Sequence, residues 1–230
     1  MYKSFVTHIT KQYSKNSDTR IPFKFSVIHH FCAERSRGCI EFLSMATLLE
    51  LLVTQLYFFT MSRPSELLFP NTITKSNIQK GIIFDDLKWD LEQVTIRIRD
   101  FKNATTRTLE KFIPIQSTKC TNRHCACRIL NPYRVLKLYI QKRGELWENL
   151  QKKKRRILIT GKHKMSAKQH QIWTQQLKNL GMTRKDKLFV DSKGMILRVR
   201  HLNNLVATFK ESLKYKGNFA PYSLRIGGTS

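Results

Sequence analysis

Acidic side chains are scarce in this sequence. Sixteen aspartates and glutamates stand against 42 lysines and arginines, a formal net charge of +26, which excludes a surface indifferent to polyanions. Glycine (9) and proline (6) are also few, and a hydrophobic content of 41% over 230 residues excludes a disordered chain. Uninterrupted apolar runs are missing. The most apolar stretch, Phe42 to Phe59, carries Ser44, Thr47, Glu50, Thr54 and Gln55, so it reads as a buried helix and not as a membrane span. Cys32, Cys39, Cys120, Cys125 and Cys127 form an odd set with no signal peptide apparent before them, which argues against a disulfide framework and for an intracellular location. No internal repeat is apparent, and no clear basic amphipathic helix or lipidation signal directs the chain to a membrane.

The cations are spread along the whole length. A surface of this kind repels itself when folded, but neutralising phosphates releases their counterions, so nucleic acid is the expected partner.

Residues 1–21 are polar and basic and read as a linker or the tail of a preceding DNA-binding domain, with the main domain running from Pro22 to Ser230. Apolar spacing predicts helices from Phe23 to about Arg35 and from Cys39 to Phe59. Three short strands follow: Ile82-Ile83-Phe84, the alternating Val94 to Arg99, and Lys111 to Ile115. The polar segment from Asp100 to Thr108 between the last two would form a basic hairpin tip. Pro132 to Arg143 is a predicted helix leading to the run Lys152-Lys153-Lys154-Arg155-Arg156, read as an exposed basic loop or helix end before a short Ile157-Leu158-Ile159 strand. Ser166 to Leu180 and Val199 to Tyr215 are further helices, with Lys187 to Val190 extended between them. The expected class is α+β, mainly α-helical, with a small three-stranded antiparallel sheet.

Two arginine boxes stand far apart: Thr60-Met61-Ser62-Arg63-Pro64-Ser65-Glu66-Leu67-Leu68, and Pro221-Tyr222-Ser223-Leu224-Arg225-Ile226-Gly227-Gly228-Thr229-Ser230. Together they resemble the tyrosine recombinases, the phage-type integrase family. That family has arginine followed three residues later by glutamate in its first box, matched by Arg63 and Glu66. Its second box is His-x-x-Arg, often followed by a glycine pair, matched by Arg225, Gly227 and Gly228. Lys102 falls where the family places a lysine on a hairpin of a three-stranded sheet, although Lys88, Arg97, Arg99, Arg107 and Lys111 crowd the same sheet. The wording of the second box looks most like transposon-borne recombinases of the Crypton and DIRS type.

The resemblance implies a recombinase catalytic domain that breaks and rejoins double-stranded DNA through a 3′-phosphotyrosyl link and assembles on DNA as dimers and tetramers. It implies no metal or nucleotide, because the covalent link conserves the energy for rejoining. Attack on a phosphodiester builds charge on non-bridging oxygens, which the forked guanidinium groups of Arg63 and Arg225 would clamp. Lys102 would protonate the leaving 5′ oxygen if its site lowers its pKa. Tyr222 occupies the usual histidine position. A phenol with a reference pKa of about 10 is a poor base at neutral pH, so it is expected only to donate a hydrogen bond to the phosphate. The family's nucleophilic tyrosine lies downstream of the second box, so this chain is expected to bind DNA without cutting it.

Other features keep their alternatives. Arg63 and Glu66 alone are also an ordinary intrahelical pair. Cys120, His124, Cys125 and Cys127 offer four soft ligands, but one residue between Cys125 and Cys127 is too few for common zinc spacing. Lys152 to Arg156, like Lys102 and Arg107, are candidates for phosphate contact. The run also suits nuclear import if the host is eukaryotic. A non-catalytic DNA- or RNA-binding remnant of a mobile element is the competing function. A two-magnesium nuclease using Asp85, Asp86 and Asp100 is a third.

Overall fold

Apolar side chains occupy nearly every turn of one helix, and the rest of the molecule is arranged to cover them. In the computed structural model, which describes residues 23–36, 39–72, 80–99, 110–117, 129–160, 166–212, 214, 220 and 223, this central helix is α2 (Met45–Thr60), preceded by α1 (Phe25–Ser36). Leu48, Leu51, Leu52, Val53, Leu56, Tyr57 and Phe58 of α2 are all buried. Full burial of each such aliphatic or aromatic side chain contributes about 1.5–3 kcal/mol. α1 packs on one side of α2, and α4 (Pro132–Thr160) packs on another.

The second helix starts later than its apolar content predicts. Ser44 is the N-cap, its Oγ accepting the Thr47 N–H at 3.1 Å, and the stretch from Cys39 to Leu43 is turn. A serine that satisfies an orphan amide defines a helix start better than the hydrophobic run before it does. A short helix, α3 (Pro64–Leu67), follows α2.

The sheet has the order β1-β2-β3, all antiparallel, with β1 at Leu87–Trp89, β2 at Gln93–Ile98 and β3 at Lys111–Gln116. Val94, Ile96 and Ile98 are buried against the helices, as the period of two requires. β2 and β3 match the expected strands, but the first strand does not lie at Ile82–Phe84. Asp86 accepts the Ile83 N–H at 2.9 Å and winds Phe84–Asp86 into a 3₁₀ turn. Ile82 and Ile83 are extended, yet they pair with Leu67, Lys187 and Leu188 and not with the sheet.

The larger correction concerns the basic run. α4 continues without a break from Pro132 through Lys152–Arg156 to Thr160, so the run is neither loop nor helix end, and Ile157–Ile159 is helix and not strand. Leu150, Lys153 and Ile157 recur at helical spacing and face Ile172, Trp173 and Gln176 of α5 (Ala167–Leu180). That packing overrides the β-preference of two isoleucines. At the mid-helix Gly144 the Met182 Cε comes to 3.1 Å of where a Cβ would stand. α5 begins at Ser166 as expected, where Ser166 and Gln169 exchange hydrogen bonds in a capping box. α6 (Val199–Ser212) ends three residues short of the expected Tyr215. No helix among the described residues is long and apolar enough to cross a membrane.

Candidate nucleic-acid interface

Arg63 sits where the chain leaves the central helix. Met61 ends α2 in the left-handed region at φ 51°, a conformation that favours glycine. The hydroxyl of Thr60 donates back to the Leu56 carbonyl at 2.6 Å and lies 2.8 Å from that of the buried Ser62. This tight exit turns Arg63 into the N-cap of α3, with Pro64 at the first helical position.

Glu66 then fixes the arginine twice. Its Oε2 accepts the Arg63 backbone N–H at 2.8 Å, and its Oε1 lies 3.4 Å from Arg63 Nη1. Glu66 is 8% exposed and Arg63 27% exposed, so the acid is sunk into the protein while the guanidinium keeps an open side. Among the described residues Glu66 is the hydrogen-bond and ion-pair partner of that guanidinium. Tyr57 supports the turn from below, its hydroxyl donating to the Pro64 carbonyl at 2.8 Å. Burial, then the nearby Glu66 carboxylate, pushes the Tyr57 phenol well above the ordinary tyrosine range. It stays neutral and acts as a fixed donor.

Glycine at position 61 would adopt the left-handed turn freely, relieving a strain of about 1–2 kcal/mol but adding unfolded-chain entropy of about 0.5–1 kcal/mol. Met61→Gly is therefore expected to raise stability by roughly 0.5 kcal/mol in urea denaturation.

Of the second box, Ser223 alone is described. It is fully buried, its carbonyl accepts the Phe23 N–H at 3.1 Å, and its Oγ accepts the Ala220 N–H at 3.1 Å. Phe23 packs against Phe209 of α6 with the rings tilted, and two residues on, the Phe25 ring lies 6.2 Å from that of Phe58, five residues before Arg63. Ser223 is flanked by Tyr222 and Arg225, which themselves lie outside the described residues, as do Lys102, Arg107, Asp100, Cys120, His124, Cys125 and Cys127. No family model, curated protein or solved structure matches this chain.

A second cationic cluster flanks the β2–β3 connection, whose last described pair is Ile98 with Lys111. Arg97 Nε donates to Oδ1 of the fully buried Asp86 at 3.1 Å, and Arg99 Nη2 forms an ion pair with its Oδ2 at 3.0 Å. Arg97 also lies 3.6 Å from Asp85 and from Glu110. These contacts occupy the oxygens that magnesium would need, and no cluster of metal-ligating side chains is found among the described residues. Lys187 completes this cluster, its Nζ 4.1 Å above the Phe69 ring. Burial, then the Arg99 charge, lowers its pKa from the lysine norm. The ring of Phe69 fits because Gly81, at φ 80°, has no Cβ to meet it.

Neither Tyr57 nor Lys187 drew attention as a site residue in the sequence. Tyr57 sits in a mostly apolar stretch that reads as core, and the partners of Lys187 come from distant segments. Along α4, Lys152, Lys153, Arg155 and Arg156 are exposed and Lys154 is half-buried. Lys152, Arg155 and Arg156 share one helical face by spacing, so the run presents ordered cations at a 1.5 Å rise per residue.

Proposed function

We propose that this chain is the DNA-gripping part of a tyrosine-recombinase-like catalytic domain, in which Arg63 and Arg225 clamp one backbone phosphate. The observation that carries this reading is the hydrogen bond from Phe23 to Ser223, taken with the Phe25–Phe58 contact. These bring a residue between Tyr222 and Arg225 to the helix pair that ends at Arg63, across most of the sequence. In this reading Glu66 positions Arg63 while leaving its outer N–H groups for phosphate oxygens. Lys102 lies on the connection after β2 and serves as the proton donor, and Tyr222 adds a hydrogen bond. Arg107 and the exposed cations of α4 hold the flanking duplex through its phosphates. Protomers assemble on DNA as dimers or tetramers, and the basic run serves nuclear import in a eukaryotic host. Tyr222 in the histidine position favours binding without strand cleavage.

The test is duplex-DNA binding measured across a range of salt. Arg63→Ala is expected to weaken binding about tenfold and to reduce the slope of log K against log salt by about one. No covalent adduct is expected on a suicide substrate. Absence of DNA binding by the unaltered chain, or an unchanged salt slope in the variant, would sink the proposal.

A further inference from the structure

Three apolar side chains lie open to solvent around the start of α1 and the end of α2. Phe25 is 51% exposed, Phe59 41% and Met61 39%. Phe25 and Phe59 both rest against the buried Phe58, at ring separations of 6.2 and 5.4 Å. His29, one turn along α1, continues the surface, its ring within 9° of parallel to Phe25 at 6.5 Å. Phe25 follows the Ser223 anchor by two residues, and Met61 precedes Arg63 by two.

The charge around this patch narrows what can cover it. Lys24 and His30 are exposed beside it, and there is no acid in the first turn of α1. The nearby Glu66 carboxylate is buried and engaged with Arg63. An occupant that combines negative charge with flat apolar faces suits such a surface, and a nucleic acid with an unpaired base offers both. A paired duplex offers only its sugar-phosphate edge and leaves the rings uncovered.

We infer that Phe25, Phe59 and Met61 form a step on which an unstacked nucleobase rests while Arg63 holds a neighbouring phosphate. The inference rests on the DNA-binding reading above and adds a preference for locally unpaired strands. Stacking of one base on an aromatic ring is worth about 1–3 kcal/mol and tolerates any base. The step therefore recognises distortion of the helix and not sequence.

The experiment compares a fully paired duplex with the same duplex carrying a three-nucleotide bubble that contains 2-aminopurine. The unaltered chain is expected to bind the bubble about tenfold more tightly and to quench the probe fluorescence. Phe59→Ala and Phe25→Leu, the latter keeping an apolar cover on Phe58, are expected to abolish that preference and the quenching. Their affinity for paired duplex and their circular dichroism should not change. Arg63→Ala should weaken both DNAs alike. Equal affinity of the unaltered chain for the two DNAs overturns the inference and leaves the DNA-binding reading standing, whereas failure to bind either removes both. Variants that keep the bubble preference but change self-association in sedimentation assign the patch to a protein partner and overturn it too.

Discussion

Replacing Arg143 by methionine is expected to remove about 4 kcal/mol of stability and lower Tm by roughly 10 °C. The side chain is fully buried, and its guanidinium hydrogen-bonds to main-chain carbonyls. Its charge is dispersed over backbone carbonyls: Nε donates to Leu180 at 3.0 Å, Nη1 to Lys187 and Leu188 at 2.7 Å each, and Nη2 to Asn179 at 2.8 Å and to Gly181. Three of these carbonyls lie at the C-terminal end of α5, where a helix leaves acceptors unsatisfied and favours a cation. Phe84 closes one face of the guanidinium, with its ring centre 4.9 Å away. One turn earlier, the Tyr139 hydroxyl donates toward the Leu188 and Val190 carbonyls and accepts the Val190 N–H. The two side chains together tie the 187–190 segment to α4. Methionine fills the volume but leaves several buried acceptors without a donor. Arg143→Lys should recover less than half of the loss, because an ammonium has three donors and no planar fork. Urea denaturation of both variants is the measurement, and a loss below about 1 kcal/mol for the methionine variant would contradict this account.

Asp86→Ala is expected to cost about 3 kcal/mol, by a different route. Here the removed group is the anion that two arginines and the Ile83 amide share. Breaking a buried charge network from one side typically costs about 3–5 kcal/mol. The lower end applies because Arg97 and Arg99 are each about a quarter exposed and regain water. Asp86→Asn, which keeps one acceptor oxygen, should lose about half as much. A change within about 1 kcal/mol for the alanine variant would mean that Asp85 and Glu110 take over the pairing.

What could be read from the sequence was local. Phe25–Ser36, Gln93–Ile98, Lys111–Gln116 and Ala167–Leu180 were legible because their periodicity or caps lie within the segment itself. Ile82–Phe84 was not, since an extended apolar pair does not say whether it joins a sheet or lies beside Leu67 and Lys187. Ile157–Ile159 misled for the reverse reason: its β-branched residues point to strand, and only contact with α5 makes it helix. Arg143 carried a readable signal, because Val135, Leu136, Tyr139 and Arg143 share one helical face, and an arginine on an apolar stripe needs buried acceptors. At the site, the Arg63–Glu66 spacing conveyed the pairing but not its backbone half, and nothing near Phe23 announced a partner in the second box.

That partner bears on how the molecule comes into being. Roughly 200 residues separate Phe23 from Ser223, so closing the loop between them costs about 5 kcal/mol of chain entropy, which only the completed core can offset. At ordinary rates of translation, roughly 10–40 s pass between synthesis of the first and of the second. Through that interval the nascent chain carries Arg63 and the α4 cations while the Phe23 N–H still lacks its Ser223 acceptor. The contact between Phe23 and Ser223 is therefore a late acquisition, gained only when a segment made long after α1 folds back onto its start.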